Sequence, residues 1–112
     1  MSEQRISALP LTVAAAAPIS ANRAVAHDGT VAAAGAPMYG LAVTQAAPGE
    51  ALTIETLGSV PATAGAAISV GQALEVGADG KLIPQDTGQT VARALTPAAG
   101  DGRVVQVFLI PN

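Results

Sequence analysis

At 112 residues the chain fits one domain with a modest core. Half of it is hydrophobic, yet Tyr39 and Phe108 are its only aromatic residues, so the core must come from Ala, Val, Leu and Ile, and an aromatic-lined ligand pocket is excluded. Charged residues make up 12%, about half the share usual in a soluble domain, and the formal net charge is −3. Arg5, Arg23, Lys81, Arg93 and Arg103 are scattered, so no basic cluster exists to neutralise a phosphate backbone, and nucleic acid is not an expected partner.

The first element to weigh is the apolar stretch 6–20. It is shorter than the roughly 20 apolar residues that span a bilayer, and a secretory leader is not expected, because Glu3 cancels Arg5 and Pro10 interrupts the apolar run. Residues 1–8 lack periodicity and are expected to form an extended N-terminal arm. Eight prolines and twelve glycines, spread evenly, then cut the chain into strand-length segments despite its high alanine content. The predicted strands are Leu9–Ala15, Arg23–His27, Tyr39–Thr44, Ala51–Thr56, Ala73–Val76, Lys81–Pro84, Thr90–Leu95 and Arg103–Ile110. Asp28-Gly29, Ala47-Pro48-Gly49-Glu50 and Ala78-Asp79-Gly80-Lys81 read as turns, since Gly accepts positive φ without steric cost. In the segment 51–56, Leu52, Ile54 and Thr56 should share one face, with Thr53 and Glu55 on the other. The last strand has apolar residues on both faces and should be central in its sheet or buried on both sides. A helical turn is expected around Pro61–Ala67.

An internal repeat organises these elements. Ala24 to Val31, with Asp28-Gly29, parallels Ala73 to Leu82, with Asp79-Gly80. Gly40 to Thr44 parallels Ala92 to Thr96, and Glu50 to Ile54 parallels Arg103 to Val107. Two copies of a three-strand unit, about 9–58 and 59–112, imply an all-β domain over 9–112: a small pseudo-symmetric β-barrel or sandwich.

No reactive constellation stands out. His27 is the only histidine, and its neighbour Asp28 would face the other way on a strand, so a catalytic dyad is geometrically poor. With no cysteine and one histidine, no metal site is expected. Asp79-Gly80-Lys81 lacks the upstream Gly and the following Ser or Thr of a phosphate loop and reads as a hairpin turn. The aspartates near glycine lack calcium-loop spacing. Glu50 and Glu55 read as two solvated carboxylates, not an acid–base pair. Neither an enzyme nor a cofactor is expected.

The order of small-residue motifs carries a resemblance. Ala64-Gly65-Ala66-Ala67-Ile68 through Leu74, then Asp79-Gly80-Lys81, then Val91 to Ala99, then Gly102 to Leu109 resemble successive segments of the cement, or head-decoration, proteins of tailed-phage capsids. In the first half, Gly40-Leu41-Ala42, Ala46 to Glu50 and Leu52 to Gly58 are similar to the same family, and the likeness spans roughly 9–110. Asn22-Arg23 stands where a glycine-containing turn is expected, a departure that Asn tolerates in left-handed backbone. The resemblance implies a structural protein on the virion exterior, made in the host bacterial cytoplasm. It further implies binding to the outer surface of the expanded capsid, stabilisation of contacts between major capsid protein subunits, and a homo-oligomer, trimer favoured over dimer. Ile6, Leu9 and Leu11 in the N-terminal segment are the expected capsid-contact anchors. The alternative is a bacterial β-barrel binding module for carbohydrate or cell envelope, for which Tyr39 would have to be exposed in a groove.

Overall fold

The computed structural model describes residues 6–7 and 10–110, with the backbone alone for 6, 7 and 10. The strands are β1 Ile6–Ser7, β2 Pro10–Ala14, β3 Ala24–Val25, β4 Gly40–Ala42, β5 Ala51–Glu55, β6 Gly58–Thr63, β7 Ala73–Val76, β8 Leu82–Pro84, β9 Ala92–Ala94 and β10 Val104–Leu109. A short 3-10 turn, Ala78–Gly80, joins β7 to β8. All the ladders are antiparallel and form two sheets: β1-β6-β10-β9-β7-β8, and β2-β5-β4-β3. The fold is therefore all-β with two open sheets, the sandwich arm of the expectation and not the closed barrel. Further backbone contacts draw distant segments of each sheet together, among them the parallel bridge between Ala64 and Leu82. Gly65 N donates to Leu82 O at 2.8 Å in the large sheet, and Ala16 N to Gly29 O at 3.0 Å in the small one.

The bonds of one sheet recur in the other. Ala15 N donates to Glu50 O and Gly49 N to Ala15 O, while Ala64 N donates to Arg103 O and Gly102 N to Ala64 O. Ile19 and Ala46 exchange both backbone bonds, as Ile68 and Ala98 do. Asn22 N donates to Ala42 O, and Gly71 N to Ala94 O. The corners of these units need left-handed backbone: Asn22, Gly29 and Gly49 have φ of 62°, 85° and 87°, and Gly71, Gly80 and Gly102 have 83°, 73° and 84°. Asn22 thus takes the place the sequence suggested for a tolerant non-glycine residue.

Burial follows the strand period of two. Leu52 and Ile54 of β5 are buried while Ala51 and Thr53 are exposed, and Val105, Val107 and Leu109 of β10 are buried while Val104 and Phe108 are exposed. A small cluster of Ala15, Ile19, Val25, Ala42, Ala46, Leu52 and Ile54 fills the four-stranded sheet. A larger cluster fills the six-stranded one and takes in Ala24, Ala32, Met38 and Leu41 from the first half. Neighbours on β3 and β4 therefore point opposite ways: Ala24 and Leu41 into the large cluster, Val25 and Ala42 into the small one.

Two expectations are corrected and a third is resolved. The segment at Pro61–Ala67 is not helical; β6 runs through Thr63, with Val60, Ala62 and Ala64 buried on one face. Tertiary burial overrides the helical preference of alanine. Pro61 costs no bond to β10, because Thr63 N, two residues on and pointing the same way, donates to Asn22 O outside the ladder. Of the two alternatives for the last strand, β10 is central in its sheet but not buried on both sides; the strands buried on both faces are β3 and β4, which lie between the two clusters. Glu55 is buried, not solvated like Thr53, because the end of β5 is flanked by Pro10 on one side and Leu41 on the other.

Two glycines test the turn geometry. A Cβ on Gly49 would meet nothing within 4 Å, so Gly49→Ala should cost only the left-handed strain, about 1–2 kcal/mol. A Cβ on Gly29 would lie 2.4 Å from Ala14 O, so Gly29→Ala must also push β2 away from the turn. Urea unfolding should show it to be clearly the more damaging of the two, at about 3 kcal/mol or more.

Candidate interaction surface

The ladders align one row of residues across the large sheet. Ile6 pairs with Ser59, Ser59 with Phe108, Phe108 with Arg93, and Arg93 with Ala73. Directly opposed residues in adjacent strands share a face, so Ser59, Phe108 and Arg93 belong to the outer face of the sheet, away from the core. Along β10 the same face carries Val104 and Gln106, and beyond β9 it carries Leu95. Phe108 is 52% exposed, Leu95 46% and Val104 43%, and Val70, beside Gly71, is 63% exposed. No other large hydrophobic residue among the described ones is so exposed, and all four lie in the second half of the chain. Phe108, Leu95 and Val104 share the outer face of the large sheet, while Val70 lies on the loop whose Gly71 meets Arg93.

Polar groups on this face are held in place. Gln106 is buried between its neighbours: its Nε2 donates to Ser59 Oγ at 2.7 Å, and its backbone N donates to Thr96 Oγ1 at 2.9 Å. Arg93 Nη1 donates to Gly71 O at 2.8 Å, which lays the guanidinium beside the loop that carries Val70. The matching face of the small sheet differs. Thr12, Ala14, Ala51 and Thr53 are exposed there, all small. The two sheets therefore share several backbone bonds but differ in their outer surfaces.

The other candidate residues are not brought together. His27 and Asp28 lie in the turn after β3. The His27 ring stacks on Tyr39 with centroids 4.7 Å apart, and Asp28 Oδ1 accepts from Thr30 Oγ1 and Thr30 N. The Thr30 hydroxyl, followed by the Thr30 amide, holds the Asp28 carboxyl below its ordinary value. Tyr39 is half-buried against the small cluster, so it does not stand in an open groove as a sugar-stacking ring would. Glu50 Oε1 accepts from Ala47 N and closes its own turn. Asp79-Gly80-Lys81 is a hairpin turn in which Lys81 N donates to Ala78 O. Among the described residues no three carboxylates or imidazoles gather as metal ligands, and no helix is long and apolar enough to cross a membrane.

Of the expected capsid anchors, Ile6 lies on β1, where its backbone pairs with Ser59. Leu9 and most of the arm expected at 1–8 lie outside the described residues. Leu11 stands opposite Ile54 and packs, half-buried, on the small cluster. Sequence reasoning missed the Phe108 face because apolar residues on both sides of β10 did not tell a central strand with one open face from a doubly buried one. The available signal was a lone phenylalanine in phase with Val104 and Gln106, out of phase with the Val105–Val107–Leu109 core face.

One ion pair on the flank of the large sheet can be tested directly. Lys81 Nζ lies 2.9 Å from Asp101 Oδ1, and this hydrogen bond with the charge behind it lowers the Asp101 pKa from 3.8. A lowered carboxyl pKa contributes stability above the unfolded value, and the contribution is lost as pH falls through the folded one. The contribution is small because the pair is exposed. An NMR titration should place the Asp101 midpoint below 3.8, and Lys81→Met should move it back up.

Comparison with known proteins fits this geometry. The model of a family described as phage cement protein matches residues 3–109. A solved structure, the head fiber gp8.5 N base in bacteriophage phi29, is similar in fold: TM-score 0.75 and 24% identity, covering 91% of this chain and 93% of that one. No curated protein matches the chain. With its ladder of small-residue strands matched from one end to the other, this chain belongs to the phage cement protein family.

Proposed function

We propose that this phage structural protein binds the outer surface of the expanded capsid and braces neighbouring major capsid protein subunits against one another. The observation that carries the reading is the family match over residues 3–109. The physics supports it. A chain with 12% charged residues and an apolar sheet face has a surface suited to burial against other chains. On a lattice, many copies and more than one contact per copy turn modest affinities into firm attachment. The chain acts as a homo-oligomer, a trimer in preference to a dimer, on the virion exterior after synthesis in the host cytoplasm. The N-terminal segment makes the capsid contact through Ile6 and Leu9, while Leu11 fastens that segment to the small cluster.

The test is co-sedimentation of the purified chain with undecorated expanded capsids of the matching phage. Removing residues 1–12 outright would take away β1 and most of β2, so the segment is better probed by Ile6→Ser combined with Leu9→Ser. The unaltered chain should pellet at a saturating stoichiometry set by the lattice, and the double variant should bind at least tenfold more weakly with an unchanged melting temperature. A full chain that stays in the supernatant at micromolar concentration sinks the proposal.

A further inference from the structure

We infer that the outer face of the six-stranded sheet, centred on Phe108 and bordered by Val104, Leu95 and Arg93, is a docking surface for the major capsid protein, continuous with the N-terminal contact. This inference rests on the capsid-binding function proposed above and adds where on the folded domain the capsid is met.

Register makes the surface continuous. Ile6, on the segment assigned to the capsid, is the first residue of the row that runs through Ser59 to Phe108 and Arg93. Whatever the N-terminal segment rests on must lie against the flank of this sheet. One partner can therefore cover both without a second binding mode.

Size selects the capsid over a second copy of the chain. Phe108, Leu95 and Val104, at their observed exposures, present at most roughly a few hundred Å² of apolar surface, no more than the largest patch on a typical monomer. A stable two-body interface covers about 800 Å² on each partner. The face alone is too small to hold two free chains together at low concentration. It suits a contact that acts beside another one on the same surface, where the first contact raises the effective concentration of the second. The difference between the sheets points the same way. The small sheet shares several backbone bonds with the large one, yet its exposed face carries the small residues Thr12, Ala14, Ala51 and Thr53. Folding thus does not require large apolar groups on such a face.

The partner surface is accordingly apolar, with a carboxylate or carbonyl opposite Arg93. That side chain uses Nη1 on Gly71 O and presents its remaining donors outward. A basic partner surface would be repelled.

The test compares the unaltered chain with Phe108→Ser plus Val104→Ser, and with Thr53→Ser on the small sheet as a control, for binding to undecorated expanded capsids. Melting temperature and oligomeric state by light scattering are followed in parallel. The expected result is at least tenfold weaker capsid binding for the double variant, binding within twofold of the unaltered chain for the control, and no change in oligomeric state for either. Equal binding by the double variant overturns the inference and leaves the proposed function standing. Loss of the oligomer in the double variant also overturns it, since a second copy would then be the occupant. Failure of the unaltered chain to bind removes the proposed function and this inference with it. Hydroxyl-radical labelling of the unaltered chain answers the same question without substitutions, should the double variant not fold. Phe108 and Leu95 should be labelled in the free chain and protected at least fivefold on capsids. Protection already present in the free chain, or none on capsids, overturns the assignment.

Discussion

The longest ladder in the large sheet, β6 against β10 from Thr63↔Val104 to Ser59↔Phe108, is the interaction on which the rest of the molecule depends. It joins the middle of the chain to its end. It brings Val60 and Ala62 beside Val105 and Val107 in one buried layer, and so fixes which side chains of β10 are left to the outside. β1 attaches to the free flank of β6, and β9 to the far side of β10. A slip of one residue in this register would bury Phe108 and expose Val105 and Val107, which the large cluster could not tolerate.

The core obtained in this way is thin in bulk and close in spacing. Its largest fully buried side chains are Leu41, Leu52, Ile54, Leu74, Leu82 and Leu109, each contributing about 1.5–3 kcal/mol of burial. Alanine fills the rest, and alanine is useful in a core only if backbones approach closely. Glycine makes that approach possible. A Cβ on Gly40 would lie 2.4 Å from Glu55 O, so β4 and β5 could not pair as they do with any larger residue there. The two halves are tied by the same economy. Gly35 N donates to Val76 O and Gln89 N to Gly35 O, while buried Glu75 accepts from Asp86 N and so anchors the 84–89 loop beside the Gly35 turn. Arg23, from the first half, reaches the carbonyl of Asp79 in the second.

A scaffold of this kind presents its sheet faces for contact. Polar residues of several turns are occupied in holding them: Asp28 on Thr30, Glu50 on Ala47, and Gln72 Oε1 on Ser69 N. Sheet faces remain, and one of them is apolar. A phage structural protein has a use for such a face, because a contact too small to hold a free pair of chains is sufficient when it recurs across a lattice.

Much of the fold could be read without coordinates, for local reasons. Glycine and asparagine at left-handed positions mark turns wherever they occur, so Asp28-Gly29, Pro48-Gly49 and Asp79-Gly80 were legible, and with them most of the strands. The family too was written in the order of these small residues. Other features depend on what each strand is packed against, which no local pattern encodes. The stretch after Gly58 has the alanine content of a helix and becomes a strand because β10 offers it a ladder and a buried face. Glu55 and Thr53 share a phase in the sequence but not an environment, because β2 flanks all of β5 while β4 pairs only with its end. Val104 and Phe108 look like core residues by composition, and it is the open side of the large sheet that turns them outward. The sequence by itself determined where the chain turns and which residues alternate, because those depend on single-residue backbone preferences. Only the tertiary structure decided which alternating face is buried, because that depends on layers contributed by distant segments.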